Sequence, residues 1–493
     1  MFRHMGYAPK ILVALAISAS PVLCQDLLWY KNYGGPYNEF GNSCQQDANG
    51  DFYFLGTTYS DATNGFDIYL VKTDSLGNRL FARTYGGALS EYGYDLRMTT
   101  DGGFVIVGST KSYGAGEKDV YLLKINADGD LQWSRTYGGV ADDEGRSVRQ
   151  TTDDGFIIAG GTFSFGAGYQ DVYLIKTDQY GNLVWQETFG GAGGESAAAV
   201  RQTPDGGYIA VGSTGSFGDG YSSIYAVRVS QAGDSMWAAT YGGLKADYGY
   251  SVETAMDGGI IIAGATASFG AGSSDAYLIK TDPSGYVEWQ RTYGGADDDR
   301  AYSVKETPAG DFILAGSTLS FSSTFNVYLV KTNPVGEAIW SRNYGGVESD
   351  YCEMILRDKD NNYILVGRSY SYTSGGSDLY VLKILGDPAT DVFEQLPGEL
   401  PAIAELAQNY PNPFNLSTAI EFSLNSRSPV TLSIYNVLGQ RVKQWSEPSL
   451  AAGIYRYEWD GQSESGNTVA SGVYFYHLEA GVFSESRKMI LLK

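Results

Sequence analysis

Seven carboxylates recur at one position along the chain: Glu39, Glu91, Asp143, Glu195, Asp247, Asp299 and Asp350, spaced 52, 52, 52, 52, 52 and 51 residues apart. Two kinds of chemistry suit such a column. A ring of oxygen ligands round one axis would bind a hard cation such as calcium. Alternatively, each carboxylate accepts N–H bonds from its own glycine-rich loop. Seven unpaired carboxylates aimed at one axis would repel and raise one another's pKa values, so energetics favours the local role. A second column is aromatic: Tyr113, Phe165, Phe217, Phe269, Phe321 and Tyr372, with Asp61-Ala62 at the first repeat instead. Exposed rings beside Gly and Ser make stacking platforms for sugars. Folded back, they would plug each loop against a neighbouring sheet, the commoner fate of so regular a position.

Other chemistry is thin. The only histidines are His4 and His477, so a Ser-His-Asp triad, a Cys-His pair or a zinc site with His ligands cannot be built between them. Adjacent acids such as Asp142-Asp143 or Asp297-Asp298-Asp299 suit glycoside hydrolysis only if two carboxyls flank one bond in space. The run 142–144 reads as a solvated loop, and no repeat departs from the others enough to mark a unique active site. The 493 residues carry 34 Lys and Arg against 56 Asp and Glu, a formal charge of −22, which disfavours nucleic acid as a partner.

The elements that must position these columns follow from the repeat itself. A Gly-Gly doublet follows Tyr33, Tyr85, Tyr137, Phe189, Tyr241, Tyr293 and Tyr344, and four residues before each stands Trp or, once, Phe81. Tyr69, Tyr121, Tyr173, Tyr225, Tyr277, Tyr328 and Tyr380 form another column, with Lys or Arg three residues later. Each unit reads as four short strands: 145–151, 156–162, 172–177 and 183–189 in the third, separated by turns rich in Asp, Asn and Gly. No stretch has a helical period. The first element, residues 28–35, is a fourth strand with no first three, and the last unit (351–357, 363–369, 379–385) lacks a fourth. A seven-bladed β-propeller accounts for both ends: the N-terminal strand closes the last blade and hides its edge. The aromatics of the fourth strands then fill the space between blades. Loops after strands two and four share one face, the better candidate for binding.

Residues 1–24 read as a secretory signal peptide, with Arg3 and Lys10 before the apolar run 11–17 and cleavage before Gln25. Lipidation of Cys24 is the alternative, disfavoured by Leu23 just before it. No later segment has about 18 consecutive apolar residues, so no transmembrane helix is expected in the mature chain. Cys44 and Cys352 remain after cleavage, and two buried free thiols are favoured over a disulfide. The propeller is expected over 25–385 and a Pro-marked linker over 386–408.

Residues 409–493 differ in composition, with short strands expected at 419–424, 429–436, 453–460, 472–478 and 485–492, a small Ig-like β-sandwich. From position 401 on, seven basic residues face eight acidic ones, so the acidity belongs to the repeats. Asn409-Tyr410-Pro411-Asn412-Pro413-Phe414-Asn415 opens this module. Ile434 to Gln440, Trp459-Asp460-Gly461, Ser471 to Tyr476 and Lys488 to Lys493 complete the set. These motifs resemble the C-terminal sorting domain of type IX secretion in Bacteroidota and related bacteria, and the Ig-like domain of flagellar hook-capping proteins. The resemblance implies recognition by the type IX machinery and a secreted or outer-surface location in a Gram-negative bacterium. The repeats resemble bacterial propellers with Tyr-Gly-Gly and Asp-Gly-Gly signatures rather than kelch or WD repeats, which bears on fold alone. Taken together, a non-enzymatic binding module for a glycan or a protein partner is expected. A structural surface-layer protein and a secreted polysaccharide-active enzyme using carboxylates are the alternatives.

Overall fold

The structure is a computed structural model that describes residues 27–59, 65–373, 376–386, 394–396, 404–415, 418–426, 428–450, 452–459, 461–463 and 468–492. The leader with Cys24, the first-repeat pair Asp61-Ala62 and most of the linker lie outside the described residues. Among those described there is no helix, and none long and apolar enough to cross a membrane.

Alternating and fully apolar runs of seven or eight residues, cut by Asp/Asn/Gly turns, form seven four-stranded antiparallel sheets. In the third, Asp143–Gln150, Phe156–Thr162, Asp171–Thr177 and Leu183–Phe189 run in chain order. The second and third strands of each sheet are almost entirely buried, while the fourth is half exposed, as expected of an outer edge. The seventh sheet has a different source: Asp350–Arg357, Tyr363–Ser369 and Asp378–Ile384 are completed by Leu27–Tyr33 from the other end of the repeats. First strands begin at the repeated carboxylate, two residues earlier than 145, because that residue's N–H already donates across to the preceding sheet (Asp143 to Lys118 O, 2.6 Å).

Consecutive sheets pack face to face through apolar layers. Tyr53, Leu55, Ile68 and Leu70 of the first sheet meet Leu96, Phe104 and Ile106 of the second. The seventh packs on the first through Ile364, Val366 and Val381 against Cys44, Phe52 and Phe54. The repeated sheets are therefore arranged as in a propeller. Five of the tyrosines before a Gly doublet donate to a turn carbonyl of the next sheet, among them Tyr33 to Gly77 O (2.7 Å), Tyr85 to Gly129 O (2.6 Å) and Tyr137 to Gly181 O (2.7 Å). Phe189 cannot. The basic column, buried but for the half-buried Lys72, is tied to the hairpin between strands one and two of its own sheet, as in Lys176–Asp153 (3.0 Å) and Lys383–Asp358 (2.8 Å). Cys44 and Cys352 are buried free thiols.

Residues 387–493 form a separate compact unit. Two sheets, ordered Glu394–Leu396, Gly453–Trp459, Thr418–Leu424, Glu405–Leu406 and Arg441–Leu450, Ser428–Asn436, Gly472–Ala480, Phe483–Leu491, enclose a core around fully buried Trp459. Arg441–Leu450 was not expected. It is an edge strand, where Pro448 and charged residues are tolerated. The opening motif is structural: Asn409 donates through its N–H to Tyr476 Oη (2.8 Å) and through Nδ2 to Thr418 Oγ1 (2.9 Å), and Phe414 packs on Trp459.

Candidate functional site

The carboxylate column begins every first strand, and all seven side chains are buried. Each accepts the N–H of the second glycine in its own doublet: Gly35 on Glu39 (2.7 Å), Gly139 on Asp143 (2.8 Å), Gly191 on Glu195 (2.7 Å), Gly346 on Asp350 (2.7 Å). The longer glutamates also take a threonine hydroxyl, as Thr58 on Glu39 and Thr110 on Glu91. The aspartates take a serine, Ser164 on Asp143 and Ser268 on Asp247 (2.7 Å each), and Asp299 takes Thr318 as well as Ser320. The column is thus shared out among seven local cradles and is not gathered at one point. Among the described residues no group of three or more His, Cys, Asp or Glu is placed to hold a metal ion. What faces these acids is a second column that sequence reasoning missed: Asp67, Asp119, Asp171, Ser223, Asp275, Asn326 and Asp378. A Cβ on Gly34 would lie 2.1 Å from Asp378 and 2.4 Å from Glu39, so the first glycine of the doublet separates two acids. Burial, and then the Glu39 charge, push Asp378 up to about 6.

The aromatic column lies over these loops. Tyr113, Phe165, Phe217, Phe269, Phe321 and Tyr372 each pack on the third-strand tyrosine of their own sheet at 5.6–5.9 Å, and each keeps about two-fifths to half of its surface exposed. Tyr113 Oη and Tyr372 Oη donate to the first glycine's carbonyl at 3.0 and 3.1 Å. Each ring is therefore part packed and part exposed, and Tyr372 also meets Tyr30 at 5.3 Å. The run 142–144 is not a solvated loop: Asp143 is buried, and Glu144 pairs with Lys118 (3.1 Å) and Arg146 (2.7 Å).

A cavity of about 390 Å³ is touched by the first strand of every sheet and so lies at their common centre. Its construction starts with a small residue, Gly41, Gly93, Gly145, Ala197, Gly249, Ala301 or Cys352, where the neighbouring sheet comes close; a Cβ on Gly41 would sit 2.6 Å from Gly367 O. Every first strand then bulges between that residue and the second one after it. A bulge re-aims one side chain. Here the bulged residues are Asn42, Tyr94, Arg146, Ala198, Tyr250, Tyr302 and Glu353, all lining the cavity. Just beyond, Ser43, Asp95 and Ser147 accept N–H bonds from the next sheet: Leu96 on Ser43 (3.1 Å), Val148 on Asp95 (3.1 Å), Val200 on Ser147 (3.3 Å).

Charges concentrate here. Asp95 is shared by Arg97 (3.0 Å) and Arg149 (2.6 Å). Glu253 takes Arg201 in a fork, 2.8 Å at each oxygen, and also pairs with Lys305. Arg146 lies over the Tyr94 ring at 4.2 Å, and Tyr250 and Tyr302 are 4.8 Å apart. Glu353 has no ion-pair partner within 4 Å among the described residues. Burial raises its pKa, and the lowering by Arg368, Arg146 and Arg300 does not cancel that. The cavity therefore offers guanidinium and ammonium donors, phenol faces and one carboxyl group held toward its neutral form. Sequence reasoning missed it, although a signal was present: position by position, first strands vary more where they face the centre than where they touch neighbours.

PorZ, an essential surface component of the type-IX secretion system of Porphyromonas gingivalis, superposes with a TM-score of 0.42 and 13% identity. The match covers 94% of this chain and 60% of that one. Sqt1 from Chaetomium thermophilum gives 0.41 and 13%, over 71% and 85% of the chains. A copper-bound fungal alcohol oxidase gives 0.42 and 12%, over 94% and 98%. These likenesses are distant and assign no activity. The regulatory protein FlaEY of Caulobacter vibrioides is 27% identical over 173 residues, which span 30% of this chain and only 18% of FlaEY. The FlgD Ig-like domain model matches residues 415–481, within the C-terminal sandwich, so this chain ends in an Ig-like domain of the FlgD kind.

Proposed function

We propose that the chain is an exported, non-enzymatic binding module. In this reading the seven sheets form one closed seven-bladed propeller. Its central cavity and the loops at its mouth receive a glycan or a protein partner, and the C-terminal module is a type IX sorting domain. One observation supports the binding role above the rest. Seven copies of a unit meet the same structural demands at the same positions and answer them with the same residue types. Asn42, Tyr94, Arg146, Ala198, Tyr250, Tyr302 and Glu353 occupy equivalent positions yet comprise five residue types, with tyrosine at three of them. Packing does not call for that variety, whereas an asymmetric ligand does. The export reading rests on the leader and the tail motifs.

The test is a glycan array probed with purified protein, with calcium and with chelator, comparing wild type with Tyr250→Ala and Arg146→Ala. Binding that both substitutions abolish supports the cavity. Binding that neither changes moves the site to the loop aromatics, and loss on chelation alone would return the carboxylate column to a metal role. Glu353 favours a second reading, a polysaccharide-cleaving enzyme with that carboxyl as proton donor. Release of reducing ends that Glu353→Gln abolishes would establish it.

A further inference from the structure

The cavity is basic inside an acidic protein. Arg97, Arg149, Arg201 and Lys305 come from the first strands of the second, third, fourth and sixth sheets, yet only Asp95 and Glu253 answer them directly. Each acid is shared by two cations, so each triad keeps one positive charge, in a chain whose formal charge is −22. The six side chains are 8–24% exposed, so water screens them poorly. Lys305 registers the surplus. Desolvation lowers its pKa and the Arg201 and Arg97 charges lower it further, beyond what Glu253 restores. Two uncompensated charges side by side at the centre of a fold are a cost that a structural network would avoid. A third carboxylate at an equivalent position would remove part of it; Ser147, Ser251 and Ser303 stand there instead.

We propose that the cavity seats a dianionic phosphate monoester. Its phosphate would lie between the two triads, and the esterified group against Tyr250 and Tyr302. Guanidinium forks match phosphate oxygens in pairs, and Lys305 adds a point charge. Two negative charges cancel the two left over, which a carboxylate cannot do. The tyrosine pair, lining the same cavity, supplies an apolar face with hydroxyl edges, suited to a sugar ring. This deepens the proposed function, because it rests on the cavity being the binding site.

Calorimetry on the full-length protein, at pH 7.5 in low salt, tests it with inorganic phosphate, glucose 1-phosphate, glucose and glucuronate. Glucose 1-phosphate should bind at one site, at least tenfold tighter than inorganic phosphate or glucuronate, with glucose silent. Lys305→Met, which removes an already disfavoured charge and leaves Arg201 and Glu253 paired, should weaken it about tenfold. Glu253→Gln adds a surplus charge and should tighten it severalfold, a gain that no purely structural role for Glu253 predicts. Thermal unfolding of both variants establishes that they fold, and wild type with the four ligands decides the matter if one does not. Glucuronate equal to the phosphate ester, or phosphate alone equal to its ester, overturns the proposal, as does no binding at millimolar ester. A neutral glycan lost on Tyr250→Ala, with no ester binding, would sink the anion and spare the cavity. Ligands indifferent to every cavity substitution would sink both.

Discussion

Glu253 is the most informative single position for stability. Glu253→Gln keeps the shape and removes the charge. It leaves Arg201, forked onto both oxygens at 2.8 Å, and Lys305 without their counter-ion. Breaking a buried pair on one side costs about 3–5 kcal/mol. The three side chains here are 12–24% exposed to the cavity, which puts the expectation at the lower end, about 3 kcal/mol. A body of about 360 residues unfolds with about 0.75 kcal/mol per degree, so Tm should fall by about 4 °C. Differential scanning calorimetry at pH 7 in phosphate-free buffer reads this. Burial raises the Glu253 pKa, but the Arg201 and Lys305 charges outweigh it and hold the carboxyl well below the ordinary range. Its contribution is therefore complete above the unfolded-state pKa of about 4.3 and is lost as pH falls toward the folded value. The difference between variant and wild type should then be constant from pH 8 to pH 5 and shrink below that. A loss under about 1 kcal/mol, or one that grows as pH falls, would show that cavity water screens the triad and that the low-dielectric argument is wrong.

Asp378→Asn should stabilise by about 1–2 kcal/mol at pH 8, since the folded pKa of about 6 exceeds the unfolded one and the ionised form is the costly one. The gain should vanish below about pH 4, where both states are protonated; Asn326 already occupies the equivalent place in the sixth sheet. Tyr85→Phe strands the Gly129 carbonyl and should cost about 1–3 kcal/mol, whereas Phe189→Tyr supplies the hydroxyl its repeat lacks and should add about 1 kcal/mol; denaturant titration compares them. Cys44 and Cys352 should ignore a thiol reagent at pH 8, because burial pushes the Cys44 thiol up to about 12 and raises Cys352 too; without residues 1–24, two equivalents should react on unfolding. Glu353→Gln should raise Tm at pH 7, since its raised pKa makes the charged form a burden in the folded state.

The repeat made most of the fold legible. A column such as Trp29 to Tyr33 recurs because each copy meets the same neighbour, and period-two apolar runs bounded by Asp-Gly turns specify strands locally. The half-units at the two ends even indicated which strand completes the seventh sheet. Arg441–Leu450 was hidden because an edge strand bears charges and a proline that a central strand excludes. The carboxylate column was visible as a column. Its partners were not, because the Asp119 that faces Asp143 belongs to another strand of another sheet.

By itself the sequence determined the all-β unit, its sevenfold recurrence, the acidic surface and the motifs of the C-terminal sandwich, since these depend on local pattern and composition. Tertiary structure alone decided the cavity. Asp95, Arg97, Arg149, Arg201, Glu253 and Lys305 are about 50 residues apart from one repeat to the next, and only the packing of sheet on sheet brings their charges into contact. Whether a carboxylate there is paired, shared or alone depends on that packing, and no spacing along the chain records it.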